Sequence, residues 1–221
     1  MTTTVHLVRH GEVFNPDRIL YGRLPDFHLS DRGRAQAERT AGWLAERFGS
    51  QLVHLRCSPL ERARETAAPL AGRTGLDVVV DDRLIEAGNE LQGQRVGTPR
   101  EVALAMAKPR NLPLFVDPLR PSWGEPYRQI AARTYAAVLS ARAVAAEHGG
   151  DAVCVSHQLP VYVTRRFLEG RPLAHSPRRR ECALASVTSL TFTGPAASPV
   201  LVGLTYAEPA GATSPGEVPG A

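Results

Sequence analysis

The chain has 221 residues, a formal net charge of +4, 43% hydrophobic residues and 22% charged residues. That length suits one well-filled core, and that balance excludes a disordered polymer or a membrane-embedded chain. A pI near 9.3 suits an anionic ligand but decides nothing alone.

In chain order, Met1-Thr2-Thr3-Thr4 leads into the first apolar run without a basic leader or a hydrophobic signal core, and no later run reaches bilayer length. A cytoplasmic protein without a membrane partner is therefore expected. The run Thr4 to Val8 has the form of a parallel strand buried on both faces, and it stops at Arg9-His10-Gly11-Glu12. Ligands of open α/β sheets collect beyond the carboxyl ends of such strands, so a site is expected at this tetrad.

After a loop bearing glycine and proline, Ser30 can cap a helix from about Asp31 to Phe48, with Ala35, Ala41, Trp43, Leu44 and Phe48 available to face the sheet. Leu52 to Cys57 reads as the next strand. Ser58-Pro59-Leu60-Glu61 has the form of a capping box with proline in the first helical turn. This places Arg62 near a helix N-terminus, where free N–H groups and the helix dipole favour anions. Val78 to Val80 reads as a short strand and is followed by Leu84-Ile85-Glu86.

From Ala87 to Pro126 periodicity dissolves into a stretch with Pro99, Pro109, Pro113, Pro118, Pro121 and Pro126. Loops of this length are usually functional or disordered, and a cap or lid over the site is expected, with at most one short helix near Arg100 to Ala107. Phe115, Trp123 and Tyr127 are candidate pocket walls, although core packing explains any one of them as well. Gly124-Glu125 opens a long helix to about His148, and Ala152 to Val155 is a strand ending at Ser156-His157. A helix from about Leu159 to Leu168 follows. Ser186 to Phe192 reads as a late strand that can pair with Pro199 to Thr205, and the residues from Ala207 to Ala221 read as a disordered tail.

This alternation predicts an α/β three-layer sandwich, a mostly parallel sheet with helices on both faces, built as a single domain over residues 1–206 with the 87–126 cap inserted. Cys57, Cys154 and Cys182 are too few for a disulfide framework and form no CxxC pattern; the first two read as small buried hydrophobes. Arg178-Arg179-Arg180 lacks an accompanying recognition helix, zinc finger or RNP pattern, so it reads as a solvated loop and no nucleic-acid partner is expected.

Arg9-His10-Gly11-Glu12, Ser58 to Ala67, Leu84-Ile85-Glu86 and Val155-Ser156-His157 each follow an apolar run. In this order and spacing they resemble the histidine phosphatase superfamily, over about residues 4 to 195. Phosphate monoesters resist attack because their oxygens are negative, so a catalyst must neutralise them, place a nucleophile and protonate the leaving alcohol. Arg9 and Arg62 offer planar forks for phosphate oxygens, His157 can donate to a third, and His10 with one unprotonated ring nitrogen is a nucleophile. The resemblance implies a phosphoglycerate mutase-like fold, in-line attack by His10 and a phosphohistidine that water hydrolyses. It also makes Glu86 the proton donor, with a pKa raised by burial. Asn15 matches a family position near the phosphate; before Pro16 it is also an ordinary turn former.

The activity so implied is hydrolysis of a small phosphorylated metabolite without cofactor or metal. His6, His28, His54, His148 and His175 lack metal-ligand spacing, and neither Ser58 nor Ser156 lies in a GxSxG elbow. The sequence departs from the family pattern in places: Val13 replaces a small hydroxyl residue, the run after Glu86 is Ala87-Gly88-Asn89-Glu90, and Gln158 stands where many members carry glycine. The basic tyrosine motif and adjacent arginine pair of the mutases are not visible, since Arg95, Arg100, Lys108, Arg110 and Arg120 are all separated. A phosphatase is thus the leading reading, with a mutase-like phosphotransferase and a non-enzymatic phosphoprotein-binding module as alternatives. Self-association into a homo-oligomer is left open.

Overall fold

A computed structural model of the chain describes residues 2–95, 99–109, 124–176, 180–195 and 197–211, apart from the side chains at positions 99, 102, 105 and 106. The first apolar run forms β1 (Thr3–Arg9), whose side chains alternate between two helical layers. Val5 and Leu7 join one buried cluster and Val8 joins the other. β2 (Leu52–Cys57), β3 (Val78–Val80) and β4 (Asp151–Ser156) supply the rest of a parallel core, which β5 (Val187–Thr193) and β6 (Val200–Ala207) extend. The six-stranded sheet has the order β3-β2-β4-β1-β5-β6, with β5 antiparallel to β1 and β6 antiparallel to β5.

The helices α1 (Asp31–Phe48) and α2 (Glu61–Thr74) cover one face through Ala41, Leu44, Ala63, Ala67 and Leu70. On the other face lie α4 (Tyr127–Glu147) and α5 (Gln158–Leu168), through Ala137, Val138, Ala141 and Val161. The three-layer sandwich expected from the alternation is the architecture observed. A shorter helix, α3 (Pro99–Ala107), stands in the expected cap. The rest of that expectation at 96–98 and 110–123, including Phe115 and Trp123, lies outside the described residues.

Two local expectations need correction. Ala35 is exposed, because the buried stripe of α1 runs through Gly33, Gln36, Ala37, Thr40, Ala41 and Leu44. The ordered chain also does not stop before Ala207, which pairs with Val187 as the last residue of β6. The Tyr206 hydroxyl carries the strand onward by accepting from Ala183 N (2.9 Å) and donating to Glu208 Oε1 (2.8 Å). The remainder of the expected tail, 212–221, lies outside the described residues. All three cysteines are buried and unpaired, and burial pushes the Cys57 thiol up to about 11 and that of Cys154 to about 12. Among the described residues no helix is long and apolar enough to cross a membrane.

The topology positions the motifs. Parallel pairing aligns Arg9 with Ser156 and Cys57 with both Val155 and Val80, so four strands end along one edge. The residues that follow those ends are Arg9-His10, Ser58 to Arg62, the turn to Glu86, and His157.

Candidate active site

His10 leaves the end of β1 with its backbone N–H donated to Ser156 O (3.0 Å). Its Nδ1 lies 2.7 Å from Gly11 O. A carbonyl can only accept, so Nδ1 carries the proton and Nε2 carries the lone pair. Nε2 is buried and has no hydrogen-bond partner among the described residues. Burial, together with the Arg62 and Arg9 cations, holds the His10 pKa well below 6.5, which keeps the ring neutral. This is the protonation state that a nucleophile requires.

The loop bearing His10 is pressed against the first turn of α1. A Cβ on Gly11 would lie 2.5 Å from Gly33 O, and one on Gly33 would lie 2.0 Å from Glu12 O. Only glycines permit this approach. Glu12 secures the same contact, since its N–H donates to Gln36 Oε1 (2.8 Å) and its Oε1 accepts from the Ser30 hydroxyl (2.6 Å). On the other side Ala185, held at φ 54°, donates its N–H to His10 O at 3.2 Å. A left-handed alanine is costly, and here that strain aims an N–H at the histidine backbone.

Ser58 to Glu61 does not form the expected capping box. Helix α2 starts at Glu61 with Leu60 as its cap and no side-chain capping bond. The Ser58 hydroxyl is drawn away to His157, with Oγ 2.7 Å from Nε2. Because Oγ also accepts a long bond from Leu60 N (3.4 Å), its own proton is free to go to His157 Nε2. When Ser58 donates in this pair, Nδ1 of His157 carries the ring proton; that nitrogen is buried and without a partner among the described residues. Burial and the surrounding arginines keep this ring neutral as well.

Arg62 is fully buried, with its Cζ 4.7 Å from the centre of the Tyr21 ring and Nη2 donating to Gly22 O (2.6 Å). Arg9 donates Nη1 to Cys182 O (2.7 Å). Neither arginine spends its whole fork, since Arg9 Nε, Arg62 Nε and Arg62 Nη1 have no partner among the described residues. Glu86 is buried and accepts Ala87 N at Oε1 (2.7 Å), while Oε2 is unpartnered among the described residues. Desolvation raises its pKa above 4.5 even though Arg62, Arg180 and Arg9 pull it down. The His10 and His157 ring centres lie 5.1 Å apart.

Buried donors and acceptors are rarely left unpaired, because each costs on the order of 1–3 kcal/mol and charged groups cost more. Here unpaired atoms from Arg9, His10, Arg62, Glu86 and His157 lie at one sheet edge: three guanidinium nitrogens, two ring nitrogens and one carboxyl oxygen. This set fits a tetrahedral oxyanion flanked by a nucleophile and an acid. A family model for the histidine phosphatase superfamily (branch 1) matches residues 5–205. The chain belongs to this superfamily.

It is 52% identical over 208 residues to an uncharacterised protein of Mycobacterium tuberculosis, covering 94% of this chain and 97% of that one. Identity to a probable phosphoglycerate mutase of Yersinia pestis is 31% over 191 residues, 83% of each chain. A structure of mycobacterial glucosyl-3-phosphoglycerate phosphatase in complex with VO3 superposes with a TM-score of 0.72 at 30% identity, over 90% of this chain and 96% of that one.

Within this histidine phosphatase, Asn15 also closes its own turn. Its Nδ2 donates to Ile19 O (2.8 Å) and its Oδ1 accepts from Ile19 N (3.0 Å), so both amide atoms close the loop. The turn-forming role open to it in the sequence is the one observed. Tyr127, a candidate pocket wall at the start of α4, packs against His175 with the rings tilted by 36° and their centres 5.2 Å apart.

Other contributors carry no motif. Asp81 receives Arg83 Nη2 (2.7 Å) and Arg56 Nη1 (2.9 Å), which hold its carboxyl down to about 2 and fix the turn that leads to Glu86. Arg133, on α4, donates Nη1 to Arg83 O and Ile85 O (both 2.7 Å) and Nη2 to Glu86 O (3.2 Å). Glu125 holds Arg133 through Nε (2.8 Å) and Arg23 through Nη2 (2.8 Å), and Arg23 Nε adds a 2.7 Å bond to Glu86 O. The backbone of Glu86 is thus clamped by two arginines joined through one carboxylate. Arg133→Met is expected to lower kcat on alkyl phosphates by ~10²-fold, the scale of an ångström-sized displacement of a reacting group. The affinity for inorganic phosphate should change little, and inhibition kinetics alongside turnover check both halves.

Proposed function

We propose that this histidine phosphatase is a phosphomonoesterase acting on a small phosphorylated metabolite through a phosphohistidine intermediate. The unpaired buried atoms of Arg9, His10, Arg62, Glu86 and His157 carry this reading. Arg9 and Arg62 neutralise phosphoryl oxygens with the unspent parts of their forks, and His157 donates from Nδ1. His10 Nε2 attacks phosphorus in line. As the N–P bond forms, the P–O bond to the alcohol breaks and the Glu86 proton passes to the leaving oxygen. The ring becomes cationic on phosphorylation, and Gly11 O accepting from Nδ1–H stabilises that charge. Glu86, now ionised, takes a proton from water as its oxygen attacks phosphorus, the N–P bond breaks, and phosphate leaves with His10 neutral again.

Charge neutralisation rests on arginines, so the reaction needs no metal. Full activity is expected in excess chelator, and complete inhibition reversed by a divalent ion would overturn this part. The likeness to a probable phosphoglycerate mutase keeps a phosphotransferase as a second reading. With 3-phosphoglycerate and a bisphosphoglycerate primer, little 2-phosphoglycerate is expected while an aryl phosphate is hydrolysed. A mutase must hold its phosphohistidine against water with extra cationic contacts to the far end of the substrate. Isomerisation outpacing phosphate release by orders of magnitude would replace the phosphatase reading. A phosphoprotein-binding module has no use for an unpaired nucleophile beside a buried acid.

A further inference from the structure

Arg180 closes the basic run that reads as solvated loop, yet it is half-buried and turned inward. Its Nη1 donates to Gln158 Oε1 (3.1 Å) and its Nε to His175 Nε2 (2.9 Å). His175 is set to receive it. Its Nδ1 lies 2.6 Å from Leu173 O, so Nδ1 carries the proton and Nε2 is left as acceptor. That ring is fixed between Tyr127 and Tyr162, with centres 5.2 and 4.9 Å away. Gln158, the residue that departs from the glycine common after the second histidine, is the other anchor. Gln158, the residue after His157 in the chain, thus holds an arginine.

No carboxylate among the described residues forms a salt bridge with Arg180, which stands two residues before Cys182, whose carbonyl accepts Arg9 Nη1 (2.7 Å). A half-buried cation held by neutral acceptors lacks a counter-ion. Its position also has a direction. The phosphoryl oxygens already have the Arg9 and Arg62 forks, and the proton donor stands where the leaving alcohol must be. A cation bonded to the residue after His157 and two residues from the carbonyl that holds Arg9 stands at the rim of this site, where the alcohol part of the substrate is the group left to meet.

We propose that Arg180, held by Gln158 and His175, is a specificity-determining residue that receives a second anionic group on the alcohol portion of the substrate. The proposal rests on the phosphomonoesterase reading and names its substrate class: phosphate esters carrying a further carboxylate or phosphate. It adds one cation, not the paired arginines that a mutase needs.

The test compares substrates that differ in that group alone. 3-Phosphoglycerate against glycerol 3-phosphate probes a carboxylate, and fructose 1,6-bisphosphate against fructose 6-phosphate probes a second phosphate. The wild-type protein is expected to prefer the doubly anionic member of at least one pair by roughly tenfold or more in kcat/KM, the scale of one charge-assisted hydrogen bond. Arg180→Met should abolish that preference, mainly through KM, with the doubly anionic member of the pair losing far more than its singly anionic partner. Arg180→Lys should restore part of it. Equal losses on both members of a pair, or a wild-type protein indifferent to the second charge, would overturn the proposal. Calorimetry of the same ligands on His10→Ala and on His10→Ala combined with Arg180→Met reads the preference without turnover. A wild-type protein that hydrolyses neither these esters nor an aryl phosphate overturns the phosphatase reading, whereas an Arg180-dependent preference in binding would still stand.

Discussion

Replacing His10 by alanine is expected to reduce hydrolysis of phosphate esters by ~10⁴-fold or more, the scale of removing a covalent nucleophile. The fold should survive. His10 Nε2 has no partner among the described residues, so the substitution forfeits only the Nδ1 bond to the adjacent Gly11 O and some packing. Stopping the reaction in acid is the wrong trap, because a phosphoramidate bond is acid-labile. Labelling from a 32P ester followed by alkaline quench should show one phosphoryl group on the wild-type chain and none on His10→Ala. Phosphate should still bind to the variant, because the unspent arginine atoms and His157 Nδ1 remain. Substantial turnover by the folded variant would remove His10 from the nucleophilic role.

Glu86→Gln is expected to cost alkyl phosphates ~10²- to 10⁴-fold in kcat, since their leaving oxygen must be protonated as the P–O bond breaks. Aryl phosphates with stable leaving anions should lose far less in the first step. The pH profile carries a second signature. Burial raises the Glu86 pKa above 4.5, so the proton-bearing form persists to higher pH than in a free carboxyl and disappears as pH rises through the raised value. Wild-type kcat/KM for an alkyl phosphate should therefore fall on the alkaline side, and Glu86→Gln should lack that limb. His10 is shifted the other way, well below 6.5, so its lone pair is present throughout the neutral range and is lost only far into acid. Equal losses on alkyl and aryl esters would remove Glu86 from the role of acid.

Strand ends were legible because each parallel strand is a short apolar run whose stop is visible locally. Leu52–Cys57 and Val78–Val80 were readable in full for that reason, as was α1 from its Ser30 cap. The loops were harder. Ser58-Pro59-Leu60-Glu61 has a capping-box pattern, but the hydroxyl finds a better partner in a histidine 99 residues away, and local pattern cannot register that competition. Asn15 shows the local case, since the turn that its place before Pro16 suggests is closed by its own amide atoms. Arg133 lies in the middle of a helix with nothing to set it apart from Arg128 or Arg142, and only the approach of α4 to the turn before Glu86 gives it three carbonyls to hold.

By itself, the sequence determined the order of strands and helices, the layered architecture, and the residues that stand at the strand ends, because apolar periodicity and its interruptions are local properties. The tertiary structure alone decided what those residues can do. It fixed the protonated nitrogen of His10 through Gly11 O, paired His157 Nε2 with Ser58 Oγ, and left parts of the Arg9 and Arg62 forks unspent. It also turned Arg180 inward onto Gln158 and His175. The physical reason is that a polar atom's role depends on which partners it has and which it lacks. Those partners come from segments far apart in the chain, brought together only when the sheet aligns its strand ends.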